Sequence, residues 1–323
     1  MTWAIALLCG GLLLLWKGAD WLVDGAVGIA ERFGISPLVV GLTVVAMGTS
    51  APEAAASIAA VLSSKGDIAI GNVYGSNIAN LALVGGVVAL INPLQVQART
   101  LKREIPTMLL VALLLWPLLH DMTLARTDGA VLLAVFLVLV GYTIHAAKAP
   151  ASQNSADGDA AAAASKHSHN LVRNALFVLI GLVGLTVGAH ITIMGAVKIG
   201  EFFGLSDAVI GSTIMAVGTS LPELVTCVVA ALKGHHDISI GNLVGSNIFN
   251  TLLVTGAAGV VLPFAVDGRF AGGTDYWIMI GVSVGFGAAV VLGRRVVGRI
   301  SGLVLLAVYV GFLAYQLVSA NGA

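Results

Sequence analysis

GLTVVAMGTSAPEAAASIAAVLSSKGDIAIGNVYGSNIANLALV, residues 41–84, returns 170 positions later as GSTIMAVGTSLPELVTCVVAALKGHHDISIGNLVGSNIFNTLLV, residues 211–254. The copies match at 22 of 44 positions without a gap. Any two apolar helices share Leu, Val and Ala, but these matches include Thr, Ser, Pro, Glu, Asp and three pairs of Asn. The chain is an internal duplication, and each copy carries a glutamate, Glu53 or Glu223, inside apolar sequence. The similarity extends upstream: Gly25, Ala26, Val27, Ile29, Glu31, Phe33, Gly34 and Ser36 recur as Gly195, Ala196, Val197, Ile199, Glu201, Phe203, Gly204 and Ser206. The repeated unit therefore includes the helix before each motif.

With 58% hydrophobic and 10% charged residues and a mean hydropathy of +0.99, the chain cannot present an ordinary surface to water. It reads as an all-α integral membrane protein whose partner is the lipid bilayer; no nucleic-acid partner is expected. A spanning helix needs about 20 apolar residues. Such runs lie roughly at 3–24, 37–64, 67–91, 105–120, 128–147, 172–199, 207–232, 237–262, 274–292 and 301–319, predicting ten transmembrane helices. Residues 148–170, rich in Ala, Ser and Asp, read as a flexible linker between a five-helix unit at 1–147 and another at 171–323. The first apolar run has no preceding Lys or Arg and no small-residue cleavage site, and is expected to be retained as a helix. Cys9 and Cys227 have no partner spacing that suggests a disulfide or a thiolate metal site.

A formal net charge of zero conceals an asymmetry. With loops assigned alternately to two sides, Arg32, Arg99, Lys102, Arg103, Lys148, Lys166, Arg173, Lys233, Arg294, Arg295 and Arg299 share one side, against Lys65, Arg126 and Arg269 on the other. The positive-inside rule makes the first side cytoplasmic. Both termini are then outside and the linker is cytoplasmic. An odd number of helices per unit sends the second unit through the membrane in the opposite sense, giving inverted-topology repeats.

An intramembrane carboxylate is costly unless paired or coordinated, and no Lys or Arg lies within either motif helix. Oxygen does. Ser50, Thr49 and Ala46 precede Glu53 by three, four and seven residues, on one helix face; Ser220, Thr219 and Ala216 do the same for Glu223. Pro52 and Pro222 lack an N–H, leaving the carbonyls of Gly48 and Gly218 without helical donors and predicting a broken helix lining a cavity. In the next helix, Asn72, Ser76 and Asn80 form a stripe, matched by Asn242, Ser246 and Asn250, whereas Asn77 and Asn247 point elsewhere and read as interhelical hydrogen-bonding groups. Brought together, these hard oxygen donors suit Ca²⁺ and Na⁺, and do not suit Zn²⁺ or Cu⁺. Two carboxylates match one divalent ion in charge, so the cation-free site is expected to change sides rarely, which couples opposite ion movements.

GTSAPE and GTSLPE, followed by GNVYGSN and GNLVGSN, resemble the paired repeats of the Ca²⁺/cation antiporter superfamily, in its Na⁺/Ca²⁺ exchanger branch with its bacterial members. The resemblance spans nearly the whole chain. It implies exchange of Na⁺ for Ca²⁺, no cofactor, and ion ligands at Ala46, Thr49, Ser50, Glu53, Ser76 and Asn80 and at Ala216, Thr219, Ser220, Glu223, Ser246 and Asn250. Where the K⁺-dependent branch carries Asp, this chain has Asn250, so K⁺ dependence is not implied. H⁺/Ca²⁺ exchange on the same carboxylates and a passive cation channel are the alternatives. No Ser-His, Asp-pair or HExxH arrangement on the spanning helices supports an intramembrane hydrolase. Short loops and modest length suggest a prokaryotic inner-membrane protein.

Several polar residues read more simply. Asp67 and Asp237 open helices, where an acid suits the helix dipole. Lys17, Asp20 and Asp24 stripe the first helix, with a Lys17–Asp20 pair the simplest arrangement, whereas the sixth helix has Val187, His190 and Met194 there. His167, His169, His235 and His236 fall in cytoplasmic loops and read as solvated or interfacial groups, not a metal site. The first and sixth helices, long and glycine-rich, are candidate gating elements.

Overall fold

Residues 2–33 contain no proline and an almost unbroken apolar pattern, and they form a single helix, α1 (Thr2–Phe33). Gly34, at φ 62°, ends it in the left-handed conformation. The computed structural model describes residues 1–147, 170–205, 210 and 216–321. Lys148, Lys166, His167, His169 and all of the expected linker except Asn170 lie outside the described residues.

After α1, Ser36 caps α2 (Pro37–Thr49) by accepting from the Leu38 N–H at 3.3 Å, with Pro37 supplying a preset first turn. A break at Ser50 leads into α3 (Ala51–Leu62), then α4 (Gly66–Ile91), α5 (Ile105–Leu118) and α6 (Arg126–Ala147). The second copy follows the same order. Asn170 caps α7 (Leu171–Phe202) by accepting from Val172 N and Arg173 N. Then come α8 (Ala216–Thr219), α9 (Leu221–Leu232), α10 (His236–Val261), α11 (Thr274–Leu292) and α12 (Arg299–Asn321).

Among the described residues seven helices are long and apolar enough to cross a membrane singly, or eight with α2 and α3 as one bent span. The expected ten differs from this for visible reasons. α5 has only 14 residues, and of the expected span 207–232 residues 207–209 and 211–215 lie outside the described residues, with α9 contributing 12. The single expected helix at 37–64 is two helices meeting at 44°. The protein is an all-helical membrane protein, and its exposed large side chains, such as Leu13, Leu137, Val138, Val183 and Val310, are the kind a bilayer covers.

α1 and α7 pack against each other through glycines spaced by seven. A Cβ on Gly18 would lie 2.8 Å from Leu185 N and 2.9 Å from Gly181 O, and one on Gly188 would lie 2.8 Å from Leu15 N. Backbones this close require glycine, since apolar lipid supplies no hydrophobic drive and van der Waals contact must hold the helices. The same device recurs where Gly86 of α4 meets Gly302 and Leu306 of α12, and where Gly129 of α6 meets Gly256 and Gly259 of α10. These positions correspond across the two copies.

Two short pairings were not expected of an all-α chain. Leu94 and Gln95 pair antiparallel with Val297 and Val296, and Thr123 and Leu124 pair with Ala265 and Phe264. Each joins the loop after α4 or α5 of one copy to a loop of the other, and two residues are too few to show alternation in sequence. Asp67 and Asp237 do lie in first helical turns, but their carboxylates also cross between copies: Asp67 accepts from Asp267 N at 2.7 Å and Asp237 from Gln97 Nε2 at 2.6 Å. His235 is the cap residue of α10 and His236 its first residue.

Candidate functional site

Pro52 and Pro222 cannot continue the hydrogen-bond ladder of the preceding helix, and the chain breaks just before each of them. Ser50 adopts φ −87°, ψ 5° and Ser220 φ −89°, ψ 6°, after which new helices begin. Glu53 and Glu223 consequently sit in the first turn of α3 and α9, where the exposed N–H ends of a helix favour negative charge. The C-terminal carbonyls of α2 and α8 end beside them, the pole of a helix that favours cations. One break thus supplies both a stabilised carboxylate and freed backbone oxygens.

The two copies interlock at these breaks. Ser50 Oγ donates to Glu223 Oε1 at 3.0 Å, and Thr49 Oγ1 donates to Asn242 Oδ1 at 3.1 Å. The π-helical turn Ala79–Val84, which holds Asn80, packs on α9, the Glu223 helix; the turn Asn250–Val254 packs on α3, the Glu53 helix. Such turns are common at functional sites, and the sequence pattern does not announce them. Glu223 is therefore faced by a hydroxyl of the first copy, and the Glu53 helix by the turn of the second copy that carries Asn250.

The sequence-selected residues are buried together. Ala46, Thr49, Ser50, Glu53, Ser76 and Asn80 are buried in the first copy, and Ser220, Glu223, Ser246 and Asn250 in the second. Thr219 is half-buried and engaged with a neighbour, and Ala216 opens α8. Both oxygens of Glu53, Oε2 of Glu223, Oγ of Ser220 and both amide atoms of Asn80 and Asn250 have no hydrogen-bond partner in the protein. Among the described residues neither glutamate enters an ion pair, and no cluster of three His, Cys, Asp or Glu side chains occurs. Buried oxygens without protein donors are what a bound hard cation requires.

Asn72 and Asn242, read as part of the polar stripe, act beside these groups. Asn72 Nδ2 donates to the Glu53 carbonyl at 3.1 Å and to Ser57 Oγ at 2.9 Å. Asn242 Nδ2 donates to Cys227 Sγ at 3.3 Å while its oxygen receives Thr49. Ser57 and Cys227 are equivalent positions, each donating in turn to the carbonyl of Ala69 or Ser239. Sequence reasoning missed this pair. Its signal was present, since both lie four residues beyond a glutamate on the same face. Asn77 and Asn247 serve as helix-to-helix groups as expected: Asn77 Nδ2 donates to Thr251 Oγ1 at 3.0 Å, and Asn247 Nδ2 approaches Met108 Sδ.

With this geometry in hand, comparison with known proteins is informative. The family described as "Sodium/calcium exchanger protein" matches residues 3–145 and 173–318. The inner membrane protein YrbG of Escherichia coli is 36% identical over 317 residues, covering 97% of each chain. The sodium/calcium exchanger MaX1 of Methanosarcina acetivorans is 32% identical over 338 aligned positions, covering 94% of this chain and 95% of that one. A solved structure of the sodium-calcium exchanger NCX_Mj, soaked with Na⁺ and Ca²⁺, superposes with a TM-score of 0.80 at 30% identity, covering 96% of this chain and 97% of that one. Breadth of match, shared fold and the buried pair of glutamates agree, and the chain belongs to the sodium/calcium exchanger family.

Proposed function

We propose that this protein is a secondary-active antiporter that exchanges Na⁺ for Ca²⁺ across the membrane by alternating access. The transported cations are held by Ala46, Thr49, Ser50, Glu53, Ser76 and Asn80 together with Ala216, Thr219, Ser220, Glu223, Ser246 and Asn250. The observation that carries this reading is the buried pair Glu53 and Glu223, three of whose four carboxylate oxygens no protein cation or donor satisfies. Two carboxylates and one Ca²⁺ sum to zero, so a loaded site moves between gates without carrying bare charge into a low-dielectric interior, and Na⁺ ions substitute for Ca²⁺ on the return. Family membership and the likeness to NCX_Mj support the same assignment.

The architecture in this reading is ten crossings in two inverted five-helix halves, 1–147 and 171–323, joined by a cytoplasmic linker at 148–170. Both termini face outward. The exchange of partners by the two short strand pairs, and the matching glycine contacts of α4 with α12 and of α6 with α10, support a two-fold relation between the halves. α1 and α7 are the gating elements, and the location is the plasma membrane, the inner membrane of a prokaryote.

The test is ⁴⁵Ca²⁺ uptake into Na⁺-loaded proteoliposomes diluted into Na⁺-free buffer. Uptake that requires the Na⁺ gradient, and disappears in Glu53→Gln and in Glu223→Gln, is the expected outcome. Uptake indifferent to Na⁺ and driven by a pH gradient would replace Na⁺ by H⁺ as the coupling ion; single-channel currents would replace exchange by a pore.

A further inference from the structure

The charged stripe of α1 is not a closed pair on its own helix. Lys17 does approach Asp20, at 3.6 Å. The stronger partner comes from the other copy: Lys233, just past the end of α9, pairs with Asp20 and, at 2.7 Å, with Asp24, and it also donates to the Asp20 carbonyl at 3.2 Å. These groups are about a quarter to a third exposed, so water screens them less than it does a surface pair. Above them α1 lies on α9 through an apolar cluster that includes Val23, Ala26, Val229 and Ala230, with Leu221 and Val225 at its margin.

The other copy repeats neither feature. Positions 20, 24 and 233 correspond to His190, Met194 and Ser63, none of which can form the tie. The α3 face equivalent to the covered α9 face is open: Ala51, Ala55, Ala56 and Ala59 are exposed, whereas Leu221 and Val225 are half-buried and Thr226 and Val229 buried. The two halves therefore differ in packing as well as in charge, and the closed interface is the one bearing the ionic tie.

We propose that Lys233, through Asp20 and Asp24, is a positioning residue that latches α1 onto α9 and so favours the conformation in which the cation site is closed on the Lys233 side. The proposal rests on the alternating-access reading for its consequence, since an inverted repeat that changes sides exchanges the packing of its halves. Only one of the two closed arrangements then has an ionic tie, and the resting equilibrium is biased toward the other face being open.

The experiment is a spin-label distance between Phe33→Cys and Leu232→Cys, both exposed, in a Cys9→Ala background, in lipid. Lys233→Met is expected to add a longer-distance population that Lys233→Arg does not. An unchanged distribution would overturn the latch. The functional companion is the KM for Ca²⁺ on each face of oriented proteoliposomes. For Lys233→Met it should fall on the Lys233 side and rise on the opposite side, by about 2–10-fold each, as the loss of one or two partly exposed pairs implies. Ser63→Lys combined with Met194→Asp, which builds the mirror tie and so favours closure of the opposite face, should move both values in the same direction as Lys233→Met. KM values that stay fixed or move together would also overturn it. Absence of Na⁺-dependent exchange in the unmodified protein would defeat the transport reading instead, and the distance measurement would still decide the latch.

Discussion

Asn242 shows how far single residues depend on neighbours from the other copy. Its oxygen accepts Thr49 Oγ1, and its amide group donates to Cys227, so it fixes a hydroxyl of one half while anchored in the other. Asn242→Ala leaves a buried hydroxyl free to rotate away from the site, and a buried group that loses its partner costs about 1–3 kcal/mol. The apparent Ca²⁺ affinity should drop about tenfold, equivalent to ~1.4 kcal/mol, at near-normal maximal rate. Ca²⁺-dependence of exchange in proteoliposomes measures this; unchanged affinity would mean that Thr49 is held by other means. At this scale the sequence was informative about which residues gather, Thr49, Ser50 and Glu53, but not about how: they flank a break at Ser50 and do not share one continuous helix face. It was silent on pairing across copies, because Ser50 and Glu223 are 173 residues apart and nothing local specifies their meeting.

Among elements, the helices themselves were legible from apolar run length, and α11 coincides with its expected span at 274–292. The proline breaks were expected; what escaped were the π-helical turns at 41–45, 79–84, 100–104 and 250–254 and the sharpness of the break at Ser50. Proline announces a break but not its angle, and a π-helical turn depends on packing that composition does not reveal. The glycine contacts are the element-scale feature with the clearest energetic consequence. Gly18 meets the α7 backbone directly, whereas Gly10, on the same helix, has nothing within 4 Å of an added Cβ. Gly18→Ala should destabilise by about 1–3 kcal/mol through overpacking, seen as a lower thermal unfolding midpoint in detergent, and Gly10→Ala should leave it unchanged or raise it slightly, since Ala favours helix over Gly. Equal responses would mean that α1 and α7 separate without cost.

For the whole molecule, inverted topology makes a claim about sidedness that the strand pairs turn into an experiment. Gln95 lies opposite Val296, and Thr123 opposite Ala265. α5 and the first part of its loop separate the two sites in sequence, so one passage through the membrane between them puts the pairings on opposite faces. The Lys and Arg distribution assigns the Gln95 pairing, near Arg99, Arg294 and Arg295, to the cytoplasm, and the Thr123 pairing, near Arg126 and Arg269, to the outside. In a Cys9→Ala, Cys227→Ser background, cysteine at Gln95 or Val296 should react with a membrane-impermeant maleimide only after the cytoplasmic face is opened, and cysteine at Thr123 or Ala265 in intact cells. Because each pairing joins one half to the other, the two halves must enter the membrane in opposite senses for both results to hold. Labelling of all four positions from one side would remove the inverted repeat, and with it the reason for expecting the two glutamates to meet a cation between equivalent gates.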